Sequence, residues 1–127
     1  MHELFHASRR RFLAIASEFE LSPPQVRALG VLDPDRPVPM SYLADALHCD
    51  NSNVTGIVDR LEDRGLVERR SATHDRRVKM LVVTARGAEV RDRLAERLDE
   101  APPPLARLAP EDQRTLRDIM RRALDQD

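Results

Sequence analysis

Side chains able to recognise an anion or a polar edge are gathered in two stretches of this chain. The first, NSNVTGIVDR at residues 51–60, holds Ser52, Asn53, Thr55 and Arg60 around a glycine, Gly56. Hydroxyl and amide groups donate and accept hydrogen bonds, and a guanidinium grips a phosphate. The second, RRSATHDRRVK at residues 69–79, carries Arg69, Arg70, Arg76, Arg77 and Lys79 against one acid, Asp75. From residue 88 to the end, eight basic residues face ten acidic ones, so the positive charge is concentrated in that single segment. The plain alternative is a solvated turn, with Arg64, Arg69 and Arg70 as surface charges beside Glu62, Asp63 and Glu68.

Other reactive side chains form no constellation. His2 and His6 stand four apart, but two ligands do not make a metal site. His48, Cys49 and Asp50 are consecutive, so their side chains diverge. No nucleophile motif and no glycine-rich phosphate loop is present, so the chain reads as neither an enzyme nor a cofactor or metal carrier. Cys49, just before residues 51–60, opens a redox-sensor reading, against which stands the commoner role of a small packed residue.

Composition narrows the class further. The 127 residues are 41% hydrophobic and 34% charged, with one cysteine and a net charge of -1. That is one globular domain. No apolar run reaches the ~20 residues that span a bilayer, and MHELFHASRRRF lacks the apolar stretch of a signal peptide. A cytoplasmic protein without membrane association is expected, and a lone cysteine suits a reducing compartment. Three Phe, one Tyr and no Trp leave little for stacking unpaired bases.

The elements that must position the two polar stretches are mostly helical. Leu4, Phe5, Phe12, Leu13, Ile15, Ala16 and Phe19 predict a helix over residues 3–19. In LSPPQV, Ser22, Pro23 and Gln25 form a capping-box pattern that starts a helix through about Leu32. DPDRPVP at 33–39 is a turn, and Met40, Leu43, Ala44 and Leu47 mark two further helical turns. Asp50 caps the next helix, which runs to Arg64 and is stopped by Gly65. Projected at about 100° per residue, Val54, Ile57, Val58 and Leu61 point inward. Ser52, Gly56, Asp59 and Asp63 lie opposite, flanked by Asn53, Thr55 and Arg60.

An interior glycine costs a helix about 1 kcal/mol against alanine. Gly56 therefore answers either to close approach by something outside or to tight contact with the preceding helix. Asp59 and Asp63 would repel phosphate, which assigns contact to the N-terminal half of the helix. LVERRS and VKMLVV then read as short strands joined by the basic turn. Thr84 caps a helix with Val90, Leu94, Leu98 and Ala101 on one face, which PPP at 102–104 ends. A last helix from Pro110 carries Leu116, Ile119, Met120, Ala123 and Leu124.

Short helix, turn, second helix with a polar outer face and β-ribbon make a winged helix-turn-helix. The fold class is mainly α with a small two- or three-stranded β-wing, flanked by N- and C-terminal dimerisation helices. LSPPQVRALGVL, LADALHCDNSNVTGIVDRLEDRGLVERR and DRRVKMLVVTARG, in that order, resemble the MarR family of bacterial winged helix-turn-helix transcriptional regulators. The resemblance implies a single domain over 1–127, with residues 21–86 as the DNA-binding region and 1–20 and 87–127 as dimerisation helices. It implies a homodimer bound to a pseudo-palindromic double-stranded operator, usually a repressor. A small aromatic or anionic effector relieves many relatives, from a site near the N-terminal helix, the helix from Met40 and the start of the long C-terminal helix. Phe5 and Phe12 are aromatic candidates for its lining, but the effector itself is unknown from sequence.

Carried over, the recognition helix is Asn51 to Arg64, and the family's wing-tip Asp-x-Arg is Asp75 with Arg77. The aspartate orients a basic side chain and the arginine reaches the minor groove. The DNA-binding set is then Ser52, Asn53, Thr55, Gly56, Arg60, Arg70, Asp75, Arg76 and Arg77. Gly56 departs from relatives that place a basic residue there. A winged-helix module for protein–protein contact, or a redox-responsive regulator using Cys49, are the alternative functions.

Overall fold

Helix starts at Ser22, Asp50 and Thr84 are written explicitly into this sequence, and each of these three side chains accepts the backbone N–H its type suits. The computed structural model describes residues 1–125; the last two residues expected in the C-terminal arm, 126–127, lie outside the described residues. Helix α1 spans His2–Glu18. It ends where Glu20 turns left-handed at φ 55° and the Leu21 N–H donates to the Ala16 carbonyl, 3.0 Å. Helix α2, Pro23–Val31, opens on a complete capping box: Gln25 N–H donates to Ser22 Oγ, and Ser22 N–H to Gln25 Oε1.

The turn at 33–37 leads into a two-residue strand β1, Val38–Pro39, and helix α3, Met40–Leu47. His48, left-handed at φ 53°, ends α3. Asp50 accepts from Asn53 N–H at 3.2 Å and starts α4, Asn51–Asp63. Gly65, at φ 71°, reverses the chain into strand β2, Val67–Ser71. Strand β3, Lys79–Val83, pairs antiparallel with both others in the order β1-β3-β2, with Arg70 opposite Met80 and Val38 opposite Leu81. The wing thus has a third strand beyond the two read from LVERRS and VKMLVV. Pro39 fits an edge strand, where its missing N–H leaves no ladder bond unmade.

Thr84 Oγ1 accepts from Gly87 N–H and opens α5, Ala85–Asp99. The same hydroxyl donates to the Gly65 carbonyl at 2.6 Å, tying the start of α5 to the end of the helix-turn-helix. A Cβ on Gly87 would lie 1.9 Å from the Leu66 carbonyl oxygen, so only glycine allows this approach. The prolines at 102–104 do more than end α5. Pro103 and Pro104 occupy the first two positions of a one-turn helix α6, Pro103–Ala106, where an absent N–H costs nothing. Helix α7 spans Pro110–Leu124.

One apolar core joins these elements. Leu29, Leu43, Val54, Val58, Leu61, Leu66, Val67 and Leu81 are sealed from solvent, with Ile15 and Ala16 of α1 and Leu94 of α5 at its border. Arg97 on α5 grips Glu18 on α1 through two hydrogen bonds, 2.7 and 3.0 Å, and holds that carboxyl below its ordinary range. Arg11 donates to the Arg97 and Glu100 carbonyls at the end of α5. By contrast, the first half of α1 and all of α7 lie outside the core. No described residue of α7 is buried, and Phe5 and Leu124 are 66% and 73% exposed. No helix among the described residues is long and apolar enough to cross a membrane.

Candidate nucleic-acid interface

The exposed surface of α4 is split lengthwise into two flanks of opposite character. Three side chains, Val54, Val58 and Leu61, are fully buried and fix the rotation of the helix on the core. With that face anchored, Thr55, Asp59 and Glu62 turn toward the wing. Asn53 and Arg60 turn toward α2. Ser52 and Gly56 lie on the crest between.

On the wing side, Arg69 of β2 gathers the acids. Its guanidinium donates to Glu62 Oε1 at 2.8 Å and to Asp59 Oδ1 at 2.5 Å, and approaches the Thr55 carbonyl at 3.4 Å. Its backbone N–H donates to Glu62 Oε2 at 3.0 Å. Burial opposes the charge on Arg69, but the two carboxylates outweigh it and raise the guanidinium pKa. On the opposite flank an open depression of about 550 Å³ separates α4 from α2. Arg27, Asn53, Gly56 and Arg60 line it over a floor that includes Leu47 and Ile57, and among the described residues no carboxylate borders it. Two guanidiniums without a neighbouring acid make this the anion-attracting flank.

Gly56 adds to that openness. A Cβ built there meets nothing within 4 Å, so tight contact with α3 does not account for the glycine. Its space faces outward.

The wing tip is a closed turn. Ala72 N–H donates to the Val78 carbonyl, and Asp75 Oδ1 accepts from the Arg77 backbone N–H at 2.9 Å. Asp75 therefore shapes the main chain of the tip and does not hold a basic side chain. Among the described residues, no hydrogen bond or ion pair engages the exposed Arg76 and Arg77 side chains. The other cations of the segment are occupied: Arg70 donates twice to Glu68 on its own strand, and Lys79 Nζ donates to Ser71 Oγ. Five basic residues in sequence thus present two uncommitted guanidiniums at the tip.

Within α4 and its cap, Ser52 Oγ donates to Asp50 Oδ1 and Thr55 Oγ1 donates to the Asn51 carbonyl at 2.8 Å. Both hydroxyl oxygens keep lone pairs facing solvent, so they remain acceptors more than donors. Asn53 and Arg60 carry no such side-chain bond among the described residues. Arg64 has a structural use. Its guanidinium donates to the Phe19 and Glu20 carbonyls at 2.9 and 2.6 Å, fixing the left-handed turn after α1. Arg27 was missed by sequence reasoning because it lies 33 positions from Arg60 in the chain. Its only signal was an exposed position on α2 within LSPPQVRALG.

Cys49 is half-buried against the core and its thiol donates to the Leu47 carbonyl, as a packed residue does. His2 and His6 approach to 3.0 Å through Nε2, yet no cluster of three metal-ligating side chains exists among the described residues. Phe12 packs on the core and Phe5 is exposed, so they do not share one pocket.

Comparison with known proteins agrees with this geometry. Residues 21–79 match the sequence model of the MarR family. An uncharacterized HTH-type transcriptional regulator of Bacillus subtilis, YfiV, is 30% identical over 73 residues, which is 58% of this chain and 46% of that protein. The chain thus spans about half of that relative's length. A probable transcriptional regulator from Pseudomonas aeruginosa superposes with a TM-score of 0.69 at 27% identity, over 94% of this chain and 92% of that one. A MepR mutant of S. aureus, solved bound to an oligodeoxyribonucleotide, superposes with a TM-score of 0.73 at 18% identity, over 98% and 93% of the two chains. That last likeness is one of fold.

Proposed function

We infer, for a chain whose residues 21–79 match the MarR family model, a MarR-type transcription regulator that binds double-stranded operator DNA as a homodimer. The observation that carries this reading is the pairing of two uncommitted cationic surfaces on one DNA-binding unit. Arg27 of α2 and Arg60 of α4 line the depression between those helices, and Arg76 and Arg77 tip the wing. In such an arrangement α4 lies in the major groove with Ser52, Asn53 and Gly56 toward base edges, and the wing arginines reach the flanking backbone or minor groove. Of the residues named from sequence, Asn53, Gly56, Arg60, Arg76 and Arg77 are assigned direct contact. Ser52 and Thr55 accept hydrogen bonds, Asp75 shapes the wing, and Arg70 is assigned a weaker, peripheral role because Glu68 occupies it.

Two copies are required because α7 leaves Ile119, Met120 and Leu124 bare, and Phe5 and Leu98 are also exposed. A second copy covering these faces gives a two-fold dimer, hence a pseudo-palindromic operator. Repression relieved by a small aromatic or anionic effector is the regulatory mode this family membership favours. The test is retention of the purified protein by its own upstream promoter fragment, at physiological salt and against excess competitor DNA. Binding no tighter than to competitor overturns the reading and leaves a protein–protein module. A thermal-shift screen of aromatic acids, followed by release from that fragment, tests the effector; no stabilisation by any of them indicates a constitutive regulator.

A further inference from the structure

Asp59 poses a difficulty for any DNA complex of this helix. It lies one turn beyond Thr55 and within the same exposed surface as Ser52 and Gly56, where a carboxylate facing a phosphate or base-edge acceptor is repulsive. The structure supplies one cation to it. Arg69 reaches across from β2, makes its 2.5 Å contact with Asp59 Oδ1, and is anchored by Glu62 through both side chain and backbone. The Arg69 side chain is only 22% exposed, against 64% for Arg70 next to it, so it has little surface left to offer a phosphate.

We propose that Arg69 is a positioning residue for DNA binding: it holds the Asp59 carboxylate toward the wing and neutralises it, so that the N-terminal half of the crest and the α2 flank of α4 meet the DNA without the opposing charge of Asp59, while Asp63 lies a turn further on, beyond the contacting half. Arg69 acts through Asp59 and does not itself touch DNA. The anchoring explains why an arginine is suited to the position. Its planar fork serves two carboxylates at once, which a lysine ammonium on a flexible stem does not hold in one geometry. This inference rests on the operator-binding reading above.

The experiment compares the full-length wild type with Arg69→Met, Asp59→Asn and the double variant Arg69→Met/Asp59→Asn. Affinity for the upstream promoter fragment is measured by fluorescence anisotropy, at a temperature where circular dichroism shows each protein folded. Arg69→Met is expected to weaken binding by about tenfold or more, in the range that an uncompensated interfacial charge produces. The double variant is expected to recover most of that loss, and Asp59→Asn alone to bind at least as well as wild type. A phosphate contact or a purely structural role for Arg69 predicts no recovery on removing the Asp59 charge. A double variant as weak as Arg69→Met therefore overturns the proposal, as does a tenfold loss in Asp59→Asn alone. Should Arg69→Met fail to fold, Asp59→Asn decides by the same criterion. Failure of the wild type to bind the fragment overturns the operator reading and this inference with it, whereas a binding wild type without charge rescue removes only the inference.

Discussion

At the scale of single residues, Gly56 is a glycine that the packing of the fold does not require. Among the described residues, nothing beyond its own stretch of helix lies within 4 Å of the place its Cβ would take. Gly56→Ala is therefore expected to stabilise the folded protein by about 1 kcal/mol in urea unfolding, the ordinary helix-propensity gain, while weakening promoter binding. Unchanged affinity would show that the DNA does not come close there. The arginines divide by what they already hold. Arg77→Ala and Arg27→Ala each remove an uncommitted cation, so each should lower affinity for specific and competitor DNA alike and reduce the salt slope by about one. An unchanged slope for Arg77→Ala would count against the wing contact, and for Arg27→Ala against the α2 flank. Arg64→Ala should instead act on stability, since its guanidinium is bound to the Phe19 and Glu20 carbonyls.

Among the elements, the junction between β2, β3 and α5 sets where the C-terminal helices leave the winged helix-turn-helix. It depends on Gly87, which packs against the Leu66 backbone where a Cβ would fall 1.9 Å from the carbonyl oxygen. Backbone cannot yield as a side-chain tip does, so Gly87→Ala should destabilise by about 3 kcal/mol or more, or shift α5 bodily. A melting temperature equal to wild type would refute that packing. The elements themselves were legible wherever caps and stripes coincide: Ser22 with Gln25, Asp50 with Gly65, and Thr84 each close as their types require. Strand β1 and helix α6 were not. β1 is two residues whose only reason to be extended is β3 beside them, and α6 follows prolines that locally signal only an ending. Gly87 sits in a helical run with no local mark of the strand it touches.

For the whole molecule, the decisive feature is what the single chain leaves uncovered. Helix α7 has an apolar stripe and no buried residue, and a groove of about 600 Å³ runs between it and the end of α5, lined by Leu98, Leu116, Met120 and Leu124. Exposed apolar side chains on an otherwise polar helix are suited to burial against a second copy. Met120→Lys together with Leu124→Lys should shift the protein from dimer to monomer in light scattering, and the monomer should bind a single half-site weakly. A dimer of unaltered stability would place the interface elsewhere.

By itself the sequence determined the extents of the six longer helices to within a residue or two, the winged helix-turn-helix order, the polarity of α4 and the MarR resemblance, because caps, periodicity and turn residues act over a few positions. Only the tertiary structure decided which charges are available. Arg69, Arg70 and Arg64 look alike along the chain, yet the first serves Asp59 and Glu62, the second Glu68, and the third two backbone carbonyls. Arg27 and Arg60, distant in sequence, border one depression. Electrostatic partnership falls off with distance in space and is indifferent to position in the chain, so it could be read only after the helices and the wing were packed together.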